Sequence, residues 1–272
     1  MLNNSDTNVI PKQTFDLPKL KIVNLGDVHY GNVACKKDFF KKVVTFIEKN
    51  TDVYWLSTGD MLDVNISKSP FYDPNSLEIN DEFNELVDII KPISYKCLGF
   101  VGSNHSHRIH KLAGLNLDQI LAKFCTIPYL GNTGLINCTL IQGKDINRNR
   151  VQSYYISMTH GFSGGTTLGA KANSVQRLYD MVPNVDICLE GHTHTFITTA
   201  KEVYSINRSS NKLTSNIVTL CVCGHCLDWA KSYASSGKYQ PTPVGFPLIT
   251  LSSKQKNVDI KLLTPSNIHE NI

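Results

Sequence analysis

The stretch LKIVNLGDVH, residues 20–29, decides the fold, because it joins a short apolar run to two side chains that can bind a metal ion. Residues 20–24 predict a β-strand, which ends near Gly26-Asp27, and His29 follows two positions later. Side chains alternate along a strand, so we expect Asp27 and His29 to point to one side and to share a metal ion. Open α/β sheets place their sites at such strand ends, so this stretch predicts both a sheet and a site.

Similar groups of polar donors recur along the chain, and four of the five groups sit at the end of a predicted strand. Five of the nine histidines belong to them. No group is specific by itself, since Gly-Asp is a common turn dipeptide. Together the five groups contain enough ligands for two neighbouring divalent ions. They also contain one further histidine beside those ligands. The four further groups are Gly59-Asp60-Met61-Leu62-Asp63, Ser103-Asn104-His105, His160-Gly161 and Gly191-His192-Thr193-His194.

Strand and helix patterns alternate in the first two thirds of the chain, which indicates an α/β sheet. The last third is rich in strand patterns, so two packed sheets are expected. We predict a single domain at 19–264, with a flexible segment at 1–18 and a tail at 265–272. The predicted helices are 36–49, 76–90, 115–124 and 170–181, and the predicted strands are 20–24, 52–56, 95–101, 135–142, 151–159, 186–190, 196–206, 216–222, 246–251 and 258–263.

The composition excludes some classes of partner and location. The net charge of +4 is too small to indicate binding to nucleic acid or to an anionic membrane. The N-terminal residues lack the apolar core of a secretion signal, and no run approaches the ~18 apolar residues that span a bilayer. We therefore predict a cytoplasmic protein without a membrane partner, and its eight cysteines are expected to be reduced thiols. The oligomeric state stays open.

The order and types of these donors resemble the calcineurin-like metallophosphoesterase superfamily. Its pattern is Asp-x-His, Gly-Asp-x-x-Asp, Gly-Asn-His, His and Gly-His-x-His, and the match runs over residues 20–263. The resemblance implies a four-layer αββα sandwich, in which two mixed β-sheets are flanked by helices and a binuclear metal centre lies between them. By this resemblance, Asp27, His29 and His194 would bind one metal ion, Asn104, His160 and His192 would bind the other, and Asp60 would bridge the two. His105 would be the catalytic histidine, and the carboxylate of Asp63 would orient it.

The implied function is hydrolysis of phosphate esters. A hydroxide shared by the two metals would attack phosphorus, and His105 would protonate the leaving oxygen as a general acid. Imidazole, carboxylate and amide donors suit Mn²⁺, Fe, Zn²⁺, Co²⁺ or Ni²⁺, and Mn²⁺ is our first choice. Arg108 is a candidate phosphate contact.

Two segments narrow the substrate. The family's protein phosphatases have Arg-Gly after Gly-Asp-x-x-Asp. This chain has Val64-Asn65 there, so we do not expect a Ser/Thr protein phosphatase. The glycines that follow His160, in the loop 161–169, are similar to those of bacterial and phage-type phosphoesterases. We therefore predict a phosphodiesterase acting on a nucleotide or on nucleic acid such as DNA, with phosphomonoester hydrolysis as the second choice.

The chain departs from the family pattern at two positions beside the catalytic histidine. The pattern's Gly-Asn-His is here Gly102-Ser103-Asn104-His105, so Ser103 stands where glycine is expected. Ser106 stands where an acidic residue often follows the histidine. The first change affects a tight turn, and the second removes one means of orienting His105.

Two functions from other classes remain open. Cys221, Cys223, His225 and Cys226 offer four zinc donors within six residues, which would suit a structural zinc site in a nucleic-acid-binding protein. A zinc site normally needs a second, distant pair of ligands, so buried thiols are the better interpretation. A binding protein without catalysis is the third reading, although it would not need the full set of donors.

Overall fold

The protein is an α/β structure with two mixed sheets. The computed structural model describes residues 9–69, 71–142, 150–161, 164–232, 235 and 240–270. Over these ranges the strands are β1 (Lys12–Phe15), β2 (Lys19–Asn24), β3 (Val53–Ser57), β4 (Cys97–Phe100), β5 (Thr133–Gln142), β6 (Arg150–Thr159), β7 (Ile187–Glu190), β8 (Ile197–Asn207), β9 (Lys212–Val222), β10 (Phe246–Ser252) and β11 (Val258–Leu263). The α-helices are α1 (Lys37–Lys49), α2 (Ile79–Ile90), α3 (Asn104–Ala113), α4 (Leu117–Cys125) and α5 (Leu168–Met181).

The two sheets differ in strand order and in the segments they bring together. The five-stranded sheet has the order β11-β10-β2-β3-β4, with β2, β3 and β4 parallel and β10 antiparallel to both of its neighbours. The six-stranded sheet has the order β1-β5-β6-β7-β9-β8, with β6, β7 and β9 parallel. The carboxyl ends of these parallel strands carry the polar groups predicted from the sequence.

In the described part of the chain, three apolar cores lie between the layers of helices and sheets. One core packs α1, α2 and α4 on the five-stranded sheet, with Trp55 and Phe246 fully buried. The second lies between the sheets, where Ile22 from one faces Ile156 from the other. The third packs α5 on the outer face of the six-stranded sheet. Each sheet is therefore buried on both faces, which explains why its central strands read as continuous apolar runs.

The sequence-based prediction of an α/β protein with two sheets is confirmed, and two details are corrected. The segment 1–18, predicted as flexible, contains β1, which pairs in parallel with β5 and buries Phe15. The predicted tail at 265–272 buries Ile268 in the core that packs α1, α2 and α4 on the five-stranded sheet. Residues 1–8 and 271–272 of these segments lie outside the described ranges. In the described part of the chain, the helices are too short or too polar to cross a bilayer.

Candidate metal centre

Five of the seven predicted metal ligands lie in loops and have a backbone in the left-handed conformation. Asp27, His29, Asp60, His192 and His194 all have φ between 48° and 70°. A left-handed backbone costs a residue with a side chain roughly 1–2 kcal/mol, and such strain gathers at functional sites. β2 ends at Asn24, so these loops, and not strand alternation as predicted, direct the side chains inward.

The first donor group joins Asp27, His29 and His194, from the loops after β2 and β7. The Nε2 atoms of the two histidines are 3.0 Å apart, and His194 Nε2 is 3.5 Å from Asp27 Oδ1. Both oxygens of Asp27 accept the His192 backbone N–H at 3.0 Å, which ties the two loops together. Metal–nitrogen bonds of about 2.0–2.1 Å place adjacent ligand nitrogens roughly 3 Å apart, so this spacing fits a shared ion.

The second group joins Asp60, His160 and His192, and Asn104 reaches it from α3. His160 Nε2 is 3.1 Å from Asp60 Oδ2 and 2.9 Å from Asn104 Oδ1. Asp60 Oδ2 also lies 3.8 Å from His29 Nε2, so its carboxylate stands between the two groups. The structure therefore brings together all seven residues predicted as metal ligands.

Hydrogen bonds at Nδ1 aim three of the imidazoles into the site. His29 Nδ1 lies 3.1 Å from an Asp63 carboxylate oxygen, and His160 Nδ1 lies 2.9 Å from the Thr58 carbonyl oxygen. His105 Nδ1 lies 2.6 Å from the Asp63 carbonyl oxygen. An imidazole that donates from Nδ1 leaves Nε2 free to bind a cation, and this arrangement is typical of metal-ligating histidines.

The electrostatics of the site keep the carboxylates ionised. Burial would raise the pKa of Asp60, but the nearby His105, His160 and His29 hold that pKa well below its ordinary value. Asp27 behaves in the same way, since His194 outweighs the effect of burial and lowers its pKa. Buried carboxylates that stay charged need positive partners, which imidazolium groups or bound cations provide.

His105 and Arg108 form the side of the site that belongs to α3. An Arg108 Nη atom lies 2.9 Å from His105 Nε2, and the other reaches the Asp63 carbonyl oxygen at 3.4 Å. Burial lowers the pKa of His105 to about 4 against the pull of Asp60, so the imidazole is neutral and accepts from Arg108. Both predicted residues therefore face the site, with the guanidinium directly against the imidazole.

The predicted role of Asp63 needs a correction. Its carboxylate was expected to orient His105, but it contacts His29 Nδ1 and accepts from Asn32 Nδ2 at 3.1 Å. The backbone carbonyl of Asp63 takes the place at His105, while the nearest carboxylate oxygen is 3.6 Å away. Asp63 thus holds one histidine with its side chain and the other with its main chain.

The two serines that depart from the family pattern share one partner, Asp118 on α4. Its carboxylate accepts the Ser103 backbone N–H and hydroxyl, each at 2.8 Å, and the Ser106 hydroxyl at 2.7 Å. Ser103 is also the N-cap of α3. A buried acid from another helix thereby fixes the turn that presents Asn104 and His105. Burial raises the pKa of Asp118 to about 6 despite these hydrogen bonds.

A second buried acid, Glu82 on α2, fixes the loops that carry His29 and Asp63. Its carboxylate accepts the backbone N–H groups of Gly31, at 3.0 Å, of Val64, at 3.2 Å, and of Asp63. A side chain at position 31 would collide with this carboxylate, which explains the glycine. Glu82 links two site loops that are distant in sequence.

Sequence reasoning missed both acids, although a signal existed. Glu82 occupies the apolar stripe of α2 with Leu86 and Ile90, and Asp118 occupies that of α4 with Leu121. A carboxylate at a core-facing position needs a buried donor. Acids on apolar stripes close to a donor motif therefore mark residues that support a site.

The alternative zinc site is not formed. Cys221 and Cys223 lie in the core between the sheets, and Cys226 lies in the core that packs α1, α2 and α4 on the five-stranded sheet. His225 Nδ1 accepts the Leu227 backbone N–H at 3.2 Å, and its Nε2 lies 2.8 Å from the Thr242 hydroxyl. All four residues are described, and they do not converge. The eight cysteines, all in the described ranges, are free thiols, as predicted.

His225 instead packs against His194 at the candidate metal centre and lines the same cleft. Its ring stacks on that of His194, with 5.1 Å between the centroids and 9° between the planes. The Thr242 hydroxyl, which contacts His225, also donates a hydrogen bond to the His194 backbone carbonyl at 2.6 Å. The segment considered as an alternative zinc site thus supports a residue of the first donor group.

A cleft of about 210 Å³ opens above these donors. Its floor contains Asp60, Asn104 and His192, and Arg108 lines one side. Residues 162 and 163 of the predicted glycine-rich loop lie outside the described ranges, while Gly164 and Gly165 line the cleft. The upper walls include Phe71, Lys171, Leu227 and Trp229.

Comparison with known proteins adds a distant structural likeness. No protein-family model matches the chain, and no curated protein sequence matches it. Among solved structures 48 chains match, and one is a protein of unknown function, AQ665, from Aquifex aeolicus. It is 16% identical with a TM-score of 0.38, and the match covers 64% of this chain and 80% of that one. At this distance the likeness identifies neither a fold family nor a function.

Proposed function

We propose that the protein is a calcineurin-like, metal-dependent phosphoesterase that prefers phosphodiesters, with the metallophosphatase form of the αββα sandwich. One observation carries the proposal: the carboxylate of Asp60 lies between the two donor groups, 3.8 Å from His29 of the first and 3.1 Å from His160 of the second. The positions of the three cores, with helices outside both sheets, support the fold assignment.

The donor set fits two borderline or hard divalent ions. Asp27, His29 and His194 would hold one ion, and Asn104, His160 and His192 the other, with Asp60 bridging. Nitrogen and oxygen donors without a thiolate suit Mn²⁺ first, and Fe, Zn²⁺, Co²⁺ or Ni²⁺ as alternatives. Two ions held side by side would supply Lewis acidity and an activated water for in-line attack on phosphorus.

The residues of α3 would bind the phosphate and move the proton. Arg108 presents its guanidinium to the cleft, where it can donate two hydrogen bonds to phosphoryl oxygens. That contact withdraws Arg108 from His105 Nε2 and brings negative charge close to the imidazole, and both changes favour protonation of Nε2. His105 can then protonate the leaving oxygen, while the Asp63 carbonyl holds Nδ1.

The test is a matched set of hydrolysis assays. Chelator-treated protein, reloaded with Mn²⁺, is compared on bis-p-nitrophenyl phosphate, p-nitrophenyl phosphate and single-stranded DNA. We expect metal-dependent activity that is highest on the diester. Faster hydrolysis of the monoester would replace the diesterase proposal by the monoesterase one, and hydrolysis of none of the three by metal-loaded protein would overturn both.

A further inference from the structure

A long hairpin carries four exposed apolar side chains that lie apart from the candidate metal centre. Strands β8 and β9 pair over their full length, but β9 pairs with β7 only over Thr219–Val222. The outer part of the hairpin therefore projects beyond the six-stranded sheet as a two-stranded ribbon. Such a ribbon is marginally stable in water unless one face is covered.

One face of this ribbon is apolar and the other is polar. Opposed residues of an antiparallel pair share a face, and the register pairs Tyr204 with Ser215 and Ile206 with Leu213. Ile217 lies on the same face, and we call these four large side chains the hairpin stripe. Its members Tyr204, Ile206, Leu213 and Ile217 are 61–70% exposed, so the described part of the chain leaves them uncovered.

The hairpin stripe continues a face that is buried elsewhere. Alternation places Ile217 on the same side of β9 as Thr219 and Cys221, and Cys221 belongs to the core between the sheets. The opposite side of β9, with Val218 and Leu220, packs on α5. The face of β9 that is buried between the two sheets thus extends beyond the five-stranded sheet as the hairpin stripe. There a second apolar layer can pack against it.

We propose that this layer is the hairpin stripe of a second copy of the chain, packed face to face about a two-fold axis. Four large side chains left about two-thirds uncovered present on the order of 400–500 Å², the size at which a patch marks an interaction site. Two copies would bury about 1,000 Å², which reaches the lower bound for a specific interface. Two-fold dimers are the commonest homo-oligomers.

The charges at the two ends of the hairpin stripe favour an antiparallel arrangement. Glu202 pairs with Ile217 at the inner end, and Arg208 lies in the turn at the tip. A two-fold axis that crosses the hairpin at the level of Ser205 and Thr214, midway between Glu202 and Arg208, places the inner end of one stripe against the tip of the other. Glu202 of each copy then faces Arg208 of the second copy, which is complementary at both ends.

The first experiment measures the mass of the full chain by light scattering after size-exclusion chromatography. We expect twice the chain mass of 30.3 kDa. Ile206→Lys with Leu213→Lys should give the monomer. The matched control, Ser205→Lys with Thr214→Lys, alters the neighbouring cross-strand pair on the polar face and should remain a dimer. A monomeric wild type, or a dimer that the stripe variant leaves intact, would overturn the proposal.

The second experiment tests the axis and guards against misfolding of the lysine variants. Ser215→Cys lies on the face of the hairpin stripe, one residue from this axis, so a short bis-maleimide should join two copies through that residue. Thr214→Cys on the other face should stay unlinked, as in the wild type. Glu202→Arg and Arg208→Glu should each weaken the dimer, and the double variant should restore it. Equal linking of both cysteine variants, or no restoration by the charge swap, would exclude the antiparallel packing. Assays on metal-loaded protein report separately on the proposed hydrolysis.

Discussion

The two halves of the candidate metal centre are built by different means. Five of the seven donors sit in loops with a left-handed backbone, whereas Asn104 and the catalytic candidate His105 sit in the first turn of α3. In the loop half, the strained conformations are held by contacts between loops, such as the Asp27 carboxylate on the His192 N–H. In the helix half the backbone is regular, and a buried acid fixes its position. The comparison shows that five candidate ligands depend on contacts between strained loops, whereas Asn104 and His105 depend on one capped and anchored helix.

The largest expected effect comes from removing the carboxylate that stands between the two donor groups. Asp60→Ala should abolish stable binding of both ions and lower kcat/KM by at least about 10³-fold, because metal catalysis supplies several kcal/mol. Metal content by mass spectrometry and diester hydrolysis are measured together. The control, Asp52→Ala, removes a half-exposed carboxylate that pairs with Lys21. Full metal content in Asp60→Ala would contradict the bridging role.

The next effect separates the two halves directly. His105→Ala should retain both metals and lose about 10²–10⁴-fold in kcat on a dinucleotide, whose alkoxide leaving group needs a proton. The loss should be smaller on bis-p-nitrophenyl phosphate, because p-nitrophenolate departs without one. His107→Ala, an exposed neighbour on α3, is the matched control. Equal losses on the two substrates would remove the general-acid role while leaving the metal assignment intact.

A smaller effect is expected from the acid that anchors α3. Asp118→Ala leaves the Ser103 N–H and two hydroxyls without their acceptor, which should cost about 1–3 kcal/mol of unfolding free energy. Activity should fall by about tenfold through kcat, because Asn104 and His105 lose their fixed position. Urea unfolding and steady-state kinetics measure the two effects. Asp88→Ala, on the exposed side of α2, should change neither.

The mildest test uses pH. The pKa of Asp118 is raised to about 6 in the folded protein from 3.8, so the native state binds this proton more tightly than the unfolded chain does. Its contribution to stability is complete below pH 4 and is lost as the pH rises through 6, by up to about 3 kcal/mol. The difference in unfolding free energy between wild type and Asp118→Asn, followed from pH 4 to 7, isolates this fall. A difference that stays constant with pH would show that burial of Asp118 is not maintained in solution.

The sequence predicted the loop half better than the helix half. Asp27, His29 and the His192/His194 pair follow strongly apolar strands, so their position could be inferred from the strand ends, although strand alternation was the wrong reason for their convergence. Helix α3 was missed because seven of the ten residues at 104–113 are polar, so no long apolar stripe is visible. The helix is stabilised by its cap and by Asp118. Strand β1 was missed because KQTF is too short and polar to show a period. The roles of Glu82 and Asp118 depend on contacts between helices and loops, which no local pattern contains.

The pairing of β2 with β10 has a consequence for how the protein is made. Strand β2, which precedes the first candidate ligands, pairs on one side with β3, which is close in sequence. On the other side it pairs with β10, Phe246–Ser252, where Leu248 lies opposite Val23. A ribosome adds about 5–20 residues per second, so β2 waits on the order of ten seconds or longer for this neighbour. During that interval the nascent chain exposes one open edge of an apolar strand. A holding chaperone that covers such edges would therefore raise the yield of folded protein more than a chaperone that acts after release.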